Sequence, residues 1–271
     1  MIDCSHPALS IDRQTKLLGI SRSSVYYTPI TNAEDSRIMH WIDKIFTDCP
    51  FYGSRRIGYE LKKRFGIEVN RKRVKRLMRL MGLEAIYPKH KPQTSNSNPE
   101  HKKYPYLLNN VVARYPNHIW GTDITYVRLE SGFCYLVAML DWFSRYVVEW
   151  QLSPSLEIDF CIENLQHALT MNKPAIHNSD QGSHFTSPRY TDLLTYHDVQ
   201  ISMDGRGRCM DNIFTERLWR TIKYENIFLK SYRDIREARE GLTEYFAFYN
   251  HTRPHQSLEY HTPAEVYFDK S

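Results

Sequence analysis

Three extended runs follow one another between positions 118 and 152 with almost nothing between them. They cover 118–129, 134–141 and 146–152, and each is rich in aromatic and β-branched residues. Ser131 and Gly132 supply a turn between the first two. Behind them the hydrophobic period changes. A helix is predicted over 157–171, a short buried strand over 175–178, a helix over 188–197, a short strand over 199–203, and a helix over 211–224 after the DGRGR stretch, with Asp211 as its cap. Three meandering strands followed by alternating helices and strands restrict the fold to α/β: a mixed sheet with helices on both faces.

The chain ahead of this region follows a different pattern. LSIDRQTKLLGISRSSVYYTP reads as a helix closing at Gly19, a turn, and a second helix capped by Ser21 and ended before Pro29, which is helix-turn-helix wording. Farther on, Ser54 opens a helix through Phe65, with Ile57, Leu61 and Phe65 on one stripe and Gly66 as its stop. Asn70 caps the next helix, in which Val74, Leu77, Met78 and Met81 share a face while Arg71, Lys72, Lys75, Arg76 and Arg79 fill the other; Gly82 ends it. Eleven basic residues and two acids, counting Arg55 and Arg56, fall between 51 and 80. That density suits a helix pair lying on phosphates, although a solvated basic face has the same composition. The stretch from 88 to 105, polar and broken by prolines, reads as a linker.

Charge divides along the same line. Residues 1–105 carry 20 Lys and Arg against 10 Asp and Glu, whereas 106–271 carry 16 against 21. A polyanion grip in front of a carboxylate-rich site would produce this asymmetry. The 41% hydrophobic and 25% charged content excludes wholesale disorder. The longest apolar run, around 136–140, is far too short to span a bilayer, and no signal-peptide pattern opens the chain, so a cytoplasmic, nucleoid-associated protein is expected. Five scattered cysteines without a CxxC pair fit reduced thiols rather than a disulfide frame or zinc knuckle.

Against this background three carboxylates stand out: Asp123 in WGTDITYV, Asp180 in HNSDQGSHFTS, and Glu216 in DNIFTERLWRTIKYE, with 35 residues between the second and third. The first falls within a predicted strand, the second just past a strand's carboxyl end, the third on a helix. Arg220 and Lys223 follow Glu216 at i+4 and i+7, so one helix face offers both acid and base. Convergent carboxylates suit hard Mg²⁺, and a pair of such ions supports in-line displacement at phosphorus. Taken singly, each acid is more often a surface or capping residue.

Other constellations are weaker. His177, Asp180 and His184 lack the helical HExxH geometry of a zinc site. His251 and His255 are separated by Pro254, which interrupts a shared helix face. Ser179 and Ser183 lack a GxSxG elbow, and no P-loop occurs. Tyr87 and Trp219 are candidates for stacking on extruded bases, though aromatic residues there are more often core or interface.

With these residues in hand, the chain resembles the downstream reading frame (OrfB-type) of IS3-family insertion-sequence transposases, within the DDE transposase and retroviral integrase superfamily. The likeness runs through YGSRRIGYELKKRFGIEVNRKRVKRLMRLMGL, WGTDITYV, YLVAMLDWFSRYVVEW, HNSDQGSHFTS, SMDGRGRCMDNIFTERLWRTIKYE and YNHTRPHQSLEYHTPAEVY. It implies an RNase H-like mixed-sheet catalytic core preceded by a small basic all-α, helix-turn-helix-like domain. The corresponding layout is a truncated helix-turn-helix fragment over 1–30, a basic DNA-binding domain over 31–87, a linker over 88–112, an integrase core over 113–230 and a helical tail over 231–271. It further implies that Asp123, Asp180 and Glu216 hold two Mg²⁺ or Mn²⁺ ions and that Lys223 contacts DNA near the scissile phosphate. Water would free a 3′-hydroxyl at an element end, and that hydroxyl would attack another phosphate.

Double-stranded DNA and a homo-oligomer assembled on it are the implied partners. Complete enzymes of the family carry an upstream portion with an end-binding helix-turn-helix and a leucine zipper, joined by frameshifting. No sustained heptad is present here, so the upstream product or the fused transposase is a further expected partner. A non-catalytic DNA-binding regulator and an RNase H-like nuclease acting on RNA–DNA hybrids are the alternative functions.

Overall fold

The computed structural model describes residues 2–26, 32–86, 101–130, 132–205 and 212–269. They form two compact units: Met1–Asp48 with Ile57–Glu84, and Cys49–Arg56 with Ala85–Ser271. The ends assigned to Pro29, to most of the predicted linker, to Tyr87 and to the Asp211 cap lie outside the described residues.

The first unit is helical. Helices α1 (Ile11–Leu17) and α2 (Arg22–Val25) are joined through Gly19, whose φ of 64° is the left-handed turn a glycine takes at little cost, and Ser21 caps α2 by accepting from the Ser23 N–H. Helix α3 (Ala33–Asp48), which was not singled out in the sequence, packs Ile38, Ile42 and Ile45 in the same unit as α4 (Ser54–Phe65) and α5 (Arg71–Leu80). These contribute Ile57 and Leu61, and Val74, Leu77 and Met78, all buried. Asn70 caps α5 as its position predicts, its side-chain oxygen accepting from Lys72 N–H at 2.8 Å. The basic face of α5 is partly neutralised: Arg73 and Arg76 converge on Asp35 of α3 at 2.8 and 2.6 Å, and Arg73 also reaches Glu34 at 2.7 Å.

The second unit is built on five strands in the order β3-β2-β1-β4-β5. Strands β1 (Ile119–Leu129), β2 (Gly132–Asp141) and β3 (Val147–Ser153) form an antiparallel meander; β4 (Ile176–Ser179) and β5 (Gln200–Met203) add parallel to β1. The predicted strands are therefore all present, and the register explains why YLVAML is apolar without alternation. Leu136, Ala138 and Leu140 face one layer while Val137 and Met139 face the other, so β2 is buried on both sides.

One layer consists of α6 (Asp159–Met171) and α7 (Pro188–Tyr196), which bring Phe160, Leu165, Tyr190 and Leu194 onto Val137 and Met139. The opposite layer begins with α8 (Ile213–Ile222), continues through a π-helical turn at Lys223–Ile227 into α9 (Phe228–Lys230), and is completed by α10 (Ile235–His251). Leu218, Ile222, Leu242, Tyr245 and Phe246 pack there. Helix α11 (Pro263–Phe268) closes the chain with a capping box between Thr262 and Glu265. The predicted single helix over 211–224 is thus an α-helix from 213 to 222 that widens into a π turn, a local geometry that often accompanies functional sites.

Candidate active site

Asp123 is presented by β1 and Asp180 by the residue that follows β4. The two strands are parallel with Gly121 opposite Asn178, and each aspartate lies two positions beyond that pair. They therefore stand at neighbouring positions on the sheet. Helix α8 approaches the same strand closely because residue 121 has no side chain: a Cβ there would press into the Trp142 indole and come within 2.8 Å of Thr215 Oγ1. Asn212 holds the start of the helix by donating to the Thr122 carbonyl at 3.4 Å. Trp219 completes the attachment, its indole N–H donating to Asp123 Oδ2 at 2.9 Å.

Glu216 lies in the first turn of α8, three residues before Trp219, with its side chain exposed. The bond that orients Asp123 thus also fixes the helix bearing Glu216. Trp219 is neither a free stacking platform nor merely core, since its ring is buried and its polar atom is spent on the aspartate.

The electrostatics show that like charges have been gathered. Burial, then the neighbouring charge of Asp180, push Asp123 up to about 7, against the restraining hydrogen bonds from Trp219 and the Ile124 N–H. Asp180 is also raised by burial, although its Oδ1 accepts from Gly182 N–H at 2.8 Å and His184 draws it back. Desolvation raises Glu216. Lys223 is lowered by desolvation and raised by the attraction of Asp123, which places its ammonium within electrostatic reach of the cluster.

A fourth carboxylate belongs here that the sequence reading passed over. Strand β5 pairs with β4 so that Met203 stands opposite Ser179, and the next residues are Asp204 and Asp180. Asp204 N–H donates to the Ser179 carbonyl at 2.9 Å, its Oδ1 accepts from Asn178 Nδ2 at 2.8 Å, and its charge adds to the upward push on Asp123. The available signal was that both acids directly follow a short strand, in HNSD and SMD.

Carboxylate oxygens that accept one N–H keep a lone pair, so Asp123 and Asp180 retain donor capacity suited to a hard divalent cation. Among the described residues, no three His, Cys, Asp or Glu side chains are drawn together closely enough to hold a metal ion. Asp123 and Asp180 are adjacent while Glu216 stays on the exposed side of its helix; a third carboxylate brought onto the pair would meet the repulsion that already raises Asp123. His177 is turned into the core, where its Nε2 lies 3.2 Å from the Tyr190 hydroxyl, and burial pushes its pKa down to about 3. His184 Nε2 donates to the Leu156 carbonyl at 2.9 Å.

The predicted DNA-contacting residues fall into two groups. Arg71, Lys72, Lys75 and Arg79 are exposed on α5, Arg55 is exposed at the start of α4, and Arg220 is exposed on α8. Two others have intramolecular partners: Arg76 is bound to Asp35, and Arg56 reaches Glu225 at 3.2 Å.

Residues 113–209 and 197–263 match two families described as "Integrase core domain", and residues 33–91 match one described as "HTH-like domain". The transposase for insertion sequence element IS904 of Lactococcus lactis subsp. lactis (strain IL1403) is 33% identical over 219 residues, covering 79% of this chain and 86% of that one. The putative transposase InsK for insertion sequence element IS150 of Escherichia coli (strain K12) is 30% identical over 222 residues, covering 79% and 76%. In fold, the chain is similar to one in the simian T-cell lymphotropic virus intasome solved in complex with PP2A regulatory subunit B56 gamma, with a TM-score of 0.53, 16% identity, and coverage of 84% and 74%. The mixed sheet, its flanking helices and the preceding helical region are accordingly those of an RNase H-like integrase core with a helix-turn-helix-like front. The chain belongs to the IS3-type insertion-sequence transposases, DNA-cleaving and strand-transferring enzymes with an integrase core.

Proposed function

We propose that Asp123, Asp180 and Glu216 form the catalytic site of this transposase and hold two Mg²⁺ or Mn²⁺ ions, with which the chain cuts at insertion-sequence ends and joins the freed 3′-hydroxyl to another phosphodiester. The observation carrying this reading is the meeting of Asp123 and Asp180 on parallel neighbours, with the Glu216 helix bonded to Asp123 through Trp219. Ions held there would activate the attacking oxygen and stabilise the leaving one.

The chain's own residues set the stage for that chemistry. Trp219 and the Ile124 N–H fix the Asp123 carboxylate, and the Gly182 N–H fixes Asp180. Lys223 and Arg220, on the Glu216 side of the helix, supply positive charge where a scissile phosphate arrives. The exposed cations of α5 grip duplex backbone at a distance from chemistry, without reading sequence. The first target of the 3′-hydroxyl is the other end of the same element. The chain works in the cytoplasm at the nucleoid, as a homo-oligomer on DNA and together with the upstream reading-frame product or the fused transposase.

The test is strand transfer by purified chain, with and without the upstream protein, using a duplex end bearing a 3′-hydroxyl. Asp123→Asn, Asp180→Asn and Glu216→Gln are each expected to lower joining by more than roughly a hundredfold, because loss of residues that merely orient metal ligands already costs about 10- to 100-fold. DNA binding should persist. Joining at the wild-type rate by any one variant removes that residue from the site.

A further inference from the structure

Behind the carboxylate site, on another face of α8, the second unit contains a cavity of about 210 Å³ lined by Arg145, Arg217, Arg253, Phe214, Tyr249 and His255. Arg56, whose segment 49–56 belongs to this unit, also lines it. The charge balance is unusual. Arg253 makes a two-pronged pair with Glu225 at 2.6 and 2.7 Å, and Arg56 shares the same carboxylate at 3.2 Å. His255 adds no charge: its Nε2 accepts from Arg253 Nη1 at 3.0 Å, and burial with the surrounding arginines pushes its pKa down to about 2.

Arg145 and Arg217 have no such counter-charge. Arg145 stacks its guanidinium 3.6 Å from the centroid of the Phe214 ring, and its Nη1 is buried without a hydrogen-bond partner. The nearest acid on its own turn, Asp141, is committed elsewhere, accepting from the Asn117 N–H and from the Ser144 N–H and hydroxyl. Arg145 also has φ of 64°, a left-handed conformation uncommon for a side-chain-bearing residue and one that aims it from the turn after β2. Arg217 is exposed at the rim and forms no ion pair among the described residues. Four guanidiniums therefore meet one carboxylate, with an unsatisfied buried donor among them.

We propose that this arginine pocket is a second phosphate site, in which Arg145 and Arg217 grip one backbone phosphate of bound DNA outside the catalytic centre. The planar donor fork of arginine matches phosphate oxygens, and a dry, unpaired guanidinium is satisfied by an anion rather than by a neutral group. The choice of a polymer's phosphate over an enclosed small anion comes from the rim: Arg217, Gln256 and Ser257 are exposed, while Arg253 and His255 form a buried floor. A phosphate gripped there is held by the residue next to Glu216, so the pocket would fix the DNA path relative to the cutting helix. This inference rests on the reading of the chain as a DNA strand transferase.

The experiment uses the full chain without divalent cations, so that chemistry does not enter. Affinity for a generic duplex is measured across a salt series for wild type, Arg145→Gln and Arg217→Gln, and melting temperature is measured in inorganic phosphate against chloride at equal ionic strength. Each substitution should make the logarithmic salt slope shallower by about 0.9, the value for one lost phosphate contact. Phosphate should stabilise wild type and fail to stabilise Arg145→Gln. If Arg145→Gln does not fold, the exposed Arg217→Gln decides the slope alone. DNA binding with an unchanged slope in the folded variants overturns the assignment, and phosphate stabilisation with an unchanged slope overturns it in favour of a free-phosphate site. Failure of the wild-type chain to bind DNA at all would instead contradict the proposed function.

Discussion

Asp123 and Glu225 are both buried carboxylates of the second unit, and both are hydrogen-bonded by aromatic side chains, yet they titrate in opposite directions. Burial pushes Glu225 up, but the Arg253 guanidinium, aided by Arg56 and the Tyr245 hydroxyl, outweighs it and holds the carboxyl below its ordinary value. Arg253 is raised in return by Glu225. Asp123 has a tryptophan N–H but no facing guanidinium; Asp180 and Asp204 face it instead, and it rises to about 7. The first arrangement spends opposite charge on holding α10 and the following 253–255 segment to the π turn. The second accumulates like charge that weakens the fold, and a structure retains such a cluster where something outside the chain supplies the missing positive charge.

The comparison breaks most visibly at Arg253. Arg253→Ala should destabilise by about 3–5 kcal/mol in denaturant unfolding, because it leaves Glu225 buried and largely unpaired. A Glu225→Gln, Arg253→Met double variant should recover much of that loss, as removal of both charges often does. The pairing contributes stability above the unfolded carboxyl pKa and loses it as pH falls through the lower folded value, so the cost of Arg253→Ala should shrink in acid. A cost independent of pH would mean that lost packing, not charge, is being read.

Asp123 should behave in the opposite sense. With its folded pKa near 7 and an unfolded value near 4, the unfolded chain releases its proton first as pH rises, and stability falls across that window, by at most about 1.4 kcal/mol per pH unit for one group. Asp123→Asn removes this slope. A smaller effect is expected of Trp219→Phe, which keeps most of the ring but deletes the N–H. It should cost about 1 kcal/mol and move the alkaline-side rise of the strand-transfer pH profile upward, because Asp123 loses a bond that favours its charged form. The smallest change concerns α5: Lys72→Gln should reduce the salt slope of DNA binding by up to about 0.9, and Arg76→Gln by less, since Arg76 is already engaged by Asp35.

Much of this was legible from local pattern. The strands, the Asn70 cap, the stop at Gly82 and the positions of Asp123, Asp180 and Glu216 on strand, strand end and helix all depend on residues within a few positions of one another, where periodicity and capping chemistry act. What was hidden depends on register and on distant partners. Asp204 joins the site only because β5 pairs with β4 at Met203 and Ser179. The partners Arg56 and Glu225 are 169 residues apart, so a basic residue that reads as a phosphate contact turns out to have a carboxylate. The Trp219 bond to Asp123 spans 96 residues and looks, in sequence, like one more apolar helix position.

The central claim, that Asp123 stands in a like-charge cluster built for a divalent cation, is tested most directly by the melting temperatures of wild type and Asp123→Asn at pH 5 and pH 8, with and without Mg²⁺. The variant should be the more stable at pH 8 without Mg²⁺, the difference should narrow at pH 5, and Mg²⁺ at pH 8 should raise wild type but not the variant. A variant less stable than wild type at pH 8, or an equal response of both to Mg²⁺, would contradict the account.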